Sequence, residues 1–460
     1  MSTAEQLPIP PDPIPSIPGS AAVARGPSPA DLGLVTEVEI VPEMEVVLEC
    51  VRVGMGIADR KHLESLLAAN FTKTADLTKS DPIQCGLNIQ SALNWPRVLE
   101  LAAAHKVLLL LYPALKKCSV ALVPPLVLRQ LRVSTTTVVM QSMTLSSELV
   151  KILALFETEG IRALPFKGPA VAYSLYHGLA LRGFGDLDIL VQDADIARAT
   201  ALLVARGYQA PDQIVDTVKR PFLQYQPFLE SPQSQRVYNF YRADGTVVEL
   251  HWRFTPRHFP FPLVETGLWN RLGSVDLPGR KALNLSPEDM LLLLCVHGSK
   301  HCWERLIWIC DIAALITAEP DLDWDGALER AQQLRVARMV FVGLLLASDV
   351  LQMAVPEGPL RAAQGDPEAV RLAAWVGRCL CRRPLDPLGE TEEYRFVYTV
   401  REGKRDRLRY FRHLLLTPTE EDWEFLRLPS SLASLYYLLR PVRLALGFVQ
   451  RRLVPAKHDL

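Results

Sequence analysis

The sequence lacks any Cys-x-x-Cys pair: its eight cysteines, at 50, 85, 118, 295, 302, 310, 379 and 381, are scattered. In so large a chain that scatter argues against a disulfide framework, and reduced thiols are expected. The amino terminus, MSTAEQLPIPPDPIPSIPGS, has neither a basic nor an apolar stretch, so no signal peptide is visible. Charge of one sign is lacking as well. Fifty basic residues against 51 acidic ones leave a net charge of −1. That balance gives no global electrostatic footprint for nucleic acid or an anionic membrane, although a local patch stays open. Long apolar runs are also missing: Val107–Leu111 and Met339–Ala347 fall far short of the about 18 residues a spanning helix needs. No membrane span is expected, and a cytoplasmic location is the default. No internal repeat is visible.

What is present is an ordinary globular composition, 49% hydrophobic and 22% charged over 460 residues, long enough for two or three domains. Eight of the 35 prolines fall before residue 30, so residues 1–34 read as a flexible or polyproline-like tail, or a ligand for a proline-reading domain. Residues 35–160 read as a mostly helical region. Its opening, VTEVEIVPEMEVVLECV, is β-rich or mixed, and helical spacing follows in LNWPRVLELAAAHKVLLLLYPAL and SSELVKILALFETEG. Gly160 is a natural helix terminator.

From 161 to 283 the character changes. Ile161–Gly168 reads as a strand entering a turn, Pro169–His177 as a helix opened by proline, Arg182–Val191 as a strand, and Ala194–Gly207 as a helix. A further strand, Thr246–Phe254, follows a polar, proline-containing, hairpin-like stretch. β-α-β-α order in so short a span predicts a compact unit. Residues 284–460 read as helical, beginning with the cap signature Ser-Pro-Glu-Asp and ending in a proline-interrupted helical pair. The fold class expected is α+β: a small mixed sheet flanked by mostly helical N- and C-terminal regions.

The strongest chemical signal is Gly185-Asp186-Leu187-Asp188-Ile189-Leu190-Val191. Alternation along a strand puts Asp186 and Asp188 on one face and Leu187 and Ile189 on the other. Two carboxylates about 6–7 Å apart repel one another, which a divalent cation between them relieves. Mg²⁺ suits, since it takes one or two carboxylates and leaves positions for water and phosphate. The plain alternative is an edge strand with two solvated aspartates. Lys167-Gly168 stands before the helix, where glycine admits backbone donors to a phosphate and Lys167 supplies a point charge. A plain strand-to-helix turn is the alternative. Arg182, four residues before Asp186, is placed to reach the same phosphates, or is solvated.

The run LPFKGPAVAYSLY…LRGFGDLDILV resembles the nucleotidyltransferase superfamily that includes the DNA polymerase beta-like enzymes. More closely, the chain is similar to an uncharacterised bacterial nucleotidyltransferase family. That family shows Lys-Gly before the helix, Arg ahead of Asp-x-Asp, an acidic-x-His-Trp strand, and a helix with two histidines. Lys167-Gly168, Arg182, Asp186, Asp188, Glu249-Leu250-His251-Trp252, His297 and His301 supply these elements. The likeness extends from about Trp95 to Ile316 and more loosely to Arg440-Pro441. The chain differs from the superfamily's usual pattern in two places, a lone Gly168 at the turn and Glu249 as third carboxylate.

The resemblance implies metal-dependent transfer of a nucleoside monophosphate from an NTP to a hydroxyl or phosphate, with release of pyrophosphate. It implies Mg²⁺ (or Mn²⁺) held by Asp186, Asp188 and Glu249, with phosphate charge met by Lys167 and Arg182. The acceptor stays open: small molecule, peptide, protein, sugar or tRNA end. A degenerate nucleotide-binding or interaction protein of the same fold is the alternative, and phosphoryl transfer is a third.

Other residues keep two readings each. Glu249 shares a strand face with Val247 and His251 and either completes a carboxylate cup or pairs with Arg253. His251 orients the site, contacts nucleotide, or is structural. His297 and His301 face one way on a helix, but zinc needs more donors than they and Glu304 offer, so phosphate or acceptor contact competes with packing. Asp311 is expected to pair with Arg305. Asp193 and Asp195 read as caps of the next helix. The basic cluster Lys404, Arg405, Arg407, Arg409 and Arg412 reads as a solvated face rather than an RNA site, and Arg440 to Arg452 as a packed helix rather than a membrane-surface one.

Overall fold

The computed structural model describes residues 40–75, 93–119, 121–209, 236–256, 258–382, 385, 388–418 and 420–453. The proline-rich tail over 1–34 lies outside them, as does most of the stretch ahead of the 246–254 strand. Helices dominate, and a small mixed sheet sits at the centre. The N-terminal helices are α1 (Pro42–Gly54), α2 (Arg60–Ala75), α3 (Trp95–Ala104), α4 (Leu108–Lys116) and α5 (Pro125–Thr158). Then come β1 (Ala163–Pro165), α6 (Pro169–Leu175), β2 (Leu187–Val191), α7 (Ile196–Ala205), β3 (Val237–Tyr241) and β4 (Val247–His251).

The four strands run in the order β1-β2-β4-β3, with β2 and β4 parallel and the two outer pairings antiparallel. The hairpin-like expectation is met by β3 and β4, which pair Val237 with His251 through Tyr241 with Val247. A separate hairpin, β5 (Gly273–Leu277) and β6 (Arg280–Asn284), follows. The Ser-Pro-Glu-Asp segment then opens α8 (Pro287–Lys300), where the Ser286 side chain accepts from the Asp289 N–H at 3.2 Å. Next in order are α9 (Leu306–Ala318), α10 (Trp324–Gln333), α11 (Ala337–Leu351), α12 (Glu357–Gln364), α13 (Pro367–Arg382), α14 (Glu390–Thr399), α15 (Lys404–Leu416), α16 (Glu420–Phe425) and α17 (Tyr436–Leu453).

Alternation in β2 and β4 divides the molecule. Leu187, Ile189 and Val191, with Val248 and Leu250, pack onto Leu149, Ile152 and Phe156 of α5 and Ala199 and Leu203 of α7. The opposite face carries Asp188, Leu190, Glu249 and His251. There Leu190 joins the larger core, which runs from Met44 of α1 to Tyr410 of α15 and so unites the N- and C-terminal helices.

Three expectations are corrected, and α5 leaves a fourth, the absent membrane span, unestablished. The β-rich reading of the opening segment fails: Pro42–Gly54 is a helix, entered through Pro42 with Glu43 and Glu45 in its first turn. The C-terminal pair is a single helix, α17, that passes through Pro441. Asp195 precedes α7 without a side-chain cap bond, pairing with Arg198 at 3.1 Å instead. Finally, α5 is long and apolar enough, by length and composition, to cross a membrane, with a mean hydropathy of 1.3 over its most apolar stretch. It holds part of the sheet's core through its C-terminal half, while Leu126, Val133, Met140 and Met143 stay exposed. No disulfide joins any of the seven described cysteines to another.

Candidate functional site

The turn after β1 explains why residue 168 is glycine. Its φ is +50°, and a Cβ there would stand 3.2 Å from the backbone oxygen of Asp186. A side chain would push the turn off the acidic segment. The seat for phosphate expected at the start of α6 is poorer than the sequence suggests. That helix has seven residues, Pro169 has no N–H, and the Ala170 N–H already donates to the Lys167 carbonyl at 3.1 Å.

Asp188 lies on β2 directly opposite Glu249 on parallel β4, and His251 is two residues further along the same face. Neighbouring strands are about 4.8 Å apart, so the two carboxylates are forced together. Asp188 is 2% exposed; its Oδ1 accepts from Lys167 Nζ at 2.8 Å and lies 3.2 Å from His251 Nε2. The same Nε2 stands 3.1 Å from Glu249 Oε2, while the buried His251 Nδ1 has no partner among the described residues. Phe166 packs edge-on against the imidazole at 5.0 Å.

The electrostatics are those of crowded negative charge with local relief. Burial pushes the Asp188 carboxyl pKa up, but Lys167 and His251 outweigh it and hold the group well below its usual range. The His251 hydrogen bond likewise lowers Glu249 against burial. Asp186, just before β2, goes the other way. Burial and the Asp188 charge raise its pKa, and Lys167 only partly compensates.

A cation fits this donor set. Asp188, Glu249 and His251 bring ligand atoms to within 4.8 Å of one another, and they are the only such group among the described residues. Two carboxylates and an imidazole suit a divalent ion. The Lys167 ammonium, 2.8 Å from Asp188, is a positive charge resting on this cluster. Asp186 stands outside the tightest group. The pairing of Glu249 with Arg253 does not form: Arg253 lies instead 3.8 Å from Glu265 and 3.9 Å from Asp193.

Arg182, expected at the phosphates, is turned away from them. Nε and Nη2 grip Asp311 Oδ1 and Oδ2 at 2.9 and 3.0 Å, the Tyr176 hydroxyl donates to the same carboxylate, and Nη1 donates to the Gly183 carbonyl. The expected Asp311–Arg305 pair is therefore corrected, and Arg305 lies over the Trp308 ring, 5.6 Å from its centroid.

His297 and His301 close the site from the end of α8. Successive left-handed residues Cys302 and Trp303 (φ 51° and 55°) reverse the chain into α9. Trp303 fills the space above Gly298, where a Cβ would meet its ring at 2.5 Å. That turn sets His297, His301 and Trp308 in mutual ring contact at 4.9–5.4 Å. Burial, and then Lys167, lower His297 well below the usual value; burial, and then Lys300, lower His301 to about 3. Both are neutral imidazoles, suited to hydrogen bonding rather than to charge. Neither belongs to a three-ligand cluster among the described residues.

Two cations were not anticipated. Arg236 precedes β3, and its Nη1 donates to the Phe254 carbonyl at 2.9 Å. Lys300 ends α8, and burial, then Arg236 and Lys167, push its ammonium down to about 8. Spacing gives no sign of either, because each is tied to the site only by the tertiary fold.

Parallel strands bearing opposed carboxylates, an Asp-x-Asp run and a glycine turn packed on it are the elements on which the resemblance to nucleotidyltransferases rests. Residues 91–352 match a family described as an uncharacterised nucleotidyltransferase, and the chain belongs to that family. The match spans more than half of the chain and ends at α11, leaving α12 to α17 outside it. Membership supports nucleoside monophosphate transfer in general, with an NTP as substrate; nucleotidyltransferases generally use divalent metals. No curated protein and no solved structure matches the chain.

Proposed function

We propose that the chain transfers a nucleoside monophosphate from an NTP to a hydroxyl or phosphate of an acceptor. A bond forms between the acceptor oxygen and the α-phosphorus, and the bond to the bridging oxygen of the β-phosphate breaks, releasing pyrophosphate. The observation that carries this reading is the register of Asp188 against Glu249 on parallel strands, with His251 between their carboxylates. Asp186, Asp188, Glu249 and His251 would hold Mg²⁺ or Mn²⁺, which supplies charge neutralisation for the triphosphate and the attacking oxygen. Lys167 gives fixed positive charge for phosphate, and Glu249, ionised at neutral pH, takes the proton of a hydroxyl acceptor. His297, His301 and the Trp308 face supply neutral donors and a ring surface for the nucleotide. Arg182 serves by holding the segment ahead of Asp186. The NTP pool that such a reaction draws on fits a cytoplasmic location.

One observation favours a second reading, nucleotide binding without turnover: the Lys167 ammonium already neutralises Asp188. Labelled NTP separates the possibilities. The proposal expects label from the α position on the acceptor, dependent on Mg²⁺ or Mn²⁺ and lost in Asp188→Asn. Label from the γ position refutes nucleotidyl transfer, and NTP binding with no label on any acceptor establishes the second reading.

A further inference from the structure

A cavity of about 260 Å³ is lined by Pro256, His258 and Phe259, which follow β4, by Lys300 at the end of α8, and by residues beyond the family match, including Tyr394, Tyr410 and His413. Its volume sits just below the range of drug-sized pockets. The walls pack on one another. His258 and His413 stack at 3.7 Å within 6° of parallel. The buried Arg401 lies over both Phe259 and Tyr410, at 4.4 and 4.1 Å, and donates to the His258 carbonyl at 3.3 Å. Arg440 reaches the cavity as well, but its charge is met by Asp422 at 3.1 Å.

Lys300 is different. Among the described residues no carboxylate lies within ion-pair distance of it, nor of Arg236. Arg236 directly precedes Val237, which pairs with His251, and its Nη1 donates to the Phe254 carbonyl two residues before the cavity's Pro256. Burial and then Arg236 lower the Lys300 pKa, and both cations feel Asp188 and Glu249. Like charges held together in a half-buried place destabilise the fold unless an anion joins them. The carboxylates that feel them are the ones assigned above to a metal. Glu393, exposed, also lines the cavity and disfavours an anion beside it.

We propose that this cavity is the acceptor site and that the acceptor is a small phosphomonoester, of about the size of a sugar phosphate, whose phosphate is received by Lys300 and Arg236 beside the acidic cluster. The proposal rests on the nucleotidyl-transfer reading and refines it. The attacking atom is a phosphate oxygen, already ionised, so no proton has to be removed. A P–O–P bond forms to the α-phosphorus, pyrophosphate leaves, and the product is a nucleoside diphosphate ester. This relieves Glu249 of base duty.

Two experiments on the full chain test this. In calorimetry with inorganic phosphate and glucose 1-phosphate, without NTP, saturable binding is expected. Lys300→Gln should weaken it about tenfold or more, the effect of removing a charge-assisted bond, and Lys300→Arg should retain it. Absence of saturable binding at millimolar probe, or equal binding by Lys300→Gln and wild type with both folded, overturns the assignment. In the second, an acceptor pool is treated with phosphatase, the phosphatase is removed, and the pool is offered with α-labelled NTP and Mg²⁺. Transfer should be abolished by the treatment, and product made from the untreated pool should carry a pyrophosphatase-sensitive linkage. Transfer that survives the treatment makes the acceptor a hydroxyl; this refutes the phosphomonoester while leaving nucleotidyl transfer intact. No α-label from either pool refutes nucleotidyl transfer itself, and the calorimetry then judges the phosphate site separately.

Discussion

Removing Arg182 tests whether this residue reads phosphate or locks the fold. In the structure its guanidinium makes two bonds, 2.9 and 3.0 Å, to Asp311, with side-chain exposures of 13% and 2%. Arg182→Met leaves the Asp311 carboxylate buried with the Tyr176 hydroxyl as its remaining donor, at 2.9 Å. Breaking a buried pair from one side costs about 3–5 kcal/mol, because the orphaned charge cannot return to water. At roughly 2–4 °C per kcal/mol for a domain of 150–250 residues, the melting temperature should fall by about 6–20 °C. Replacing both partners, as Arg182→Met with Asp311→Leu, removes the orphan and should restore most of the loss. Calorimetric melts of the wild type, both single variants and the double variant measure the cycle. The reasoning is refuted if Arg182→Met melts like wild type while Mg²⁺–NTP affinity drops. That pattern would mean that the guanidinium leaves Asp311 and serves the nucleotide.

The acidic cluster gives two further tests and the His258–His413 stack a third. Mg²⁺ with a non-hydrolysable NTP should stabilise the wild type by roughly 2.7 kcal/mol at a hundredfold excess over Kd, and Asp186→Asn with Asp188→Asn should erase that shift. A double variant that still responds fully in a thermal melt removes the metal assignment. Glu249→Gln should lower kcat by about two to four orders of magnitude if Glu249 takes a proton, whatever the metal concentration. With a phosphomonoester acceptor the loss should instead shrink as Mg²⁺ is raised, so titrating metal against kcat decides between them. The histidine stack predicts acid sensitivity. Burial, then His413 and Arg401, lower His258 to about 3, so the unfolded chain binds the proton first, near pH 6.5. The stability it contributes is complete above about pH 6.5 and is lost as pH falls toward 3. His258→Phe should reduce the slope of urea midpoint against pH over that window, and an unchanged slope refutes the assignment.

How much the sequence revealed depended on the reach of each signal. The face that Asp188 presents is legible because side-chain alternation is local geometry, and the single β4 register carries Glu249 to Asp188. The partner of Arg182 was not legible, since Asp311 is 129 residues away and nothing in either neighbourhood names the other. α1 was hidden differently. Residues 46–51 are all buried, so no polar face marks a helical period, and its valines imitate a strand. In α5, Thr135, Thr136, Thr137 and Thr144 weaken the helical signal. Each hydroxyl donates to the carbonyl four residues earlier, at 2.8–3.1 Å, a bond that composition cannot show.

The charge balance revealed least, for a reason that bears on function. A net charge of −1 averages over the chain, so it excludes a global electrostatic footprint and leaves a local patch open. In the fold the opposing charges are sorted within one site. Asp186, Asp188 and Glu249 crowd until the Asp186 pKa rises, while Lys300 and Arg236 gather nearby until the Lys300 pKa falls. Neither cluster neutralises the other at contact distance, and each carries a cost that a ligand of opposite sign removes. A cation on the carboxylates and a phosphate on the lysine–arginine pair would relieve both together. Binding of metal–nucleotide and of phosphomonoester is then coupled through the same field, so each should tighten the other by an equal factor.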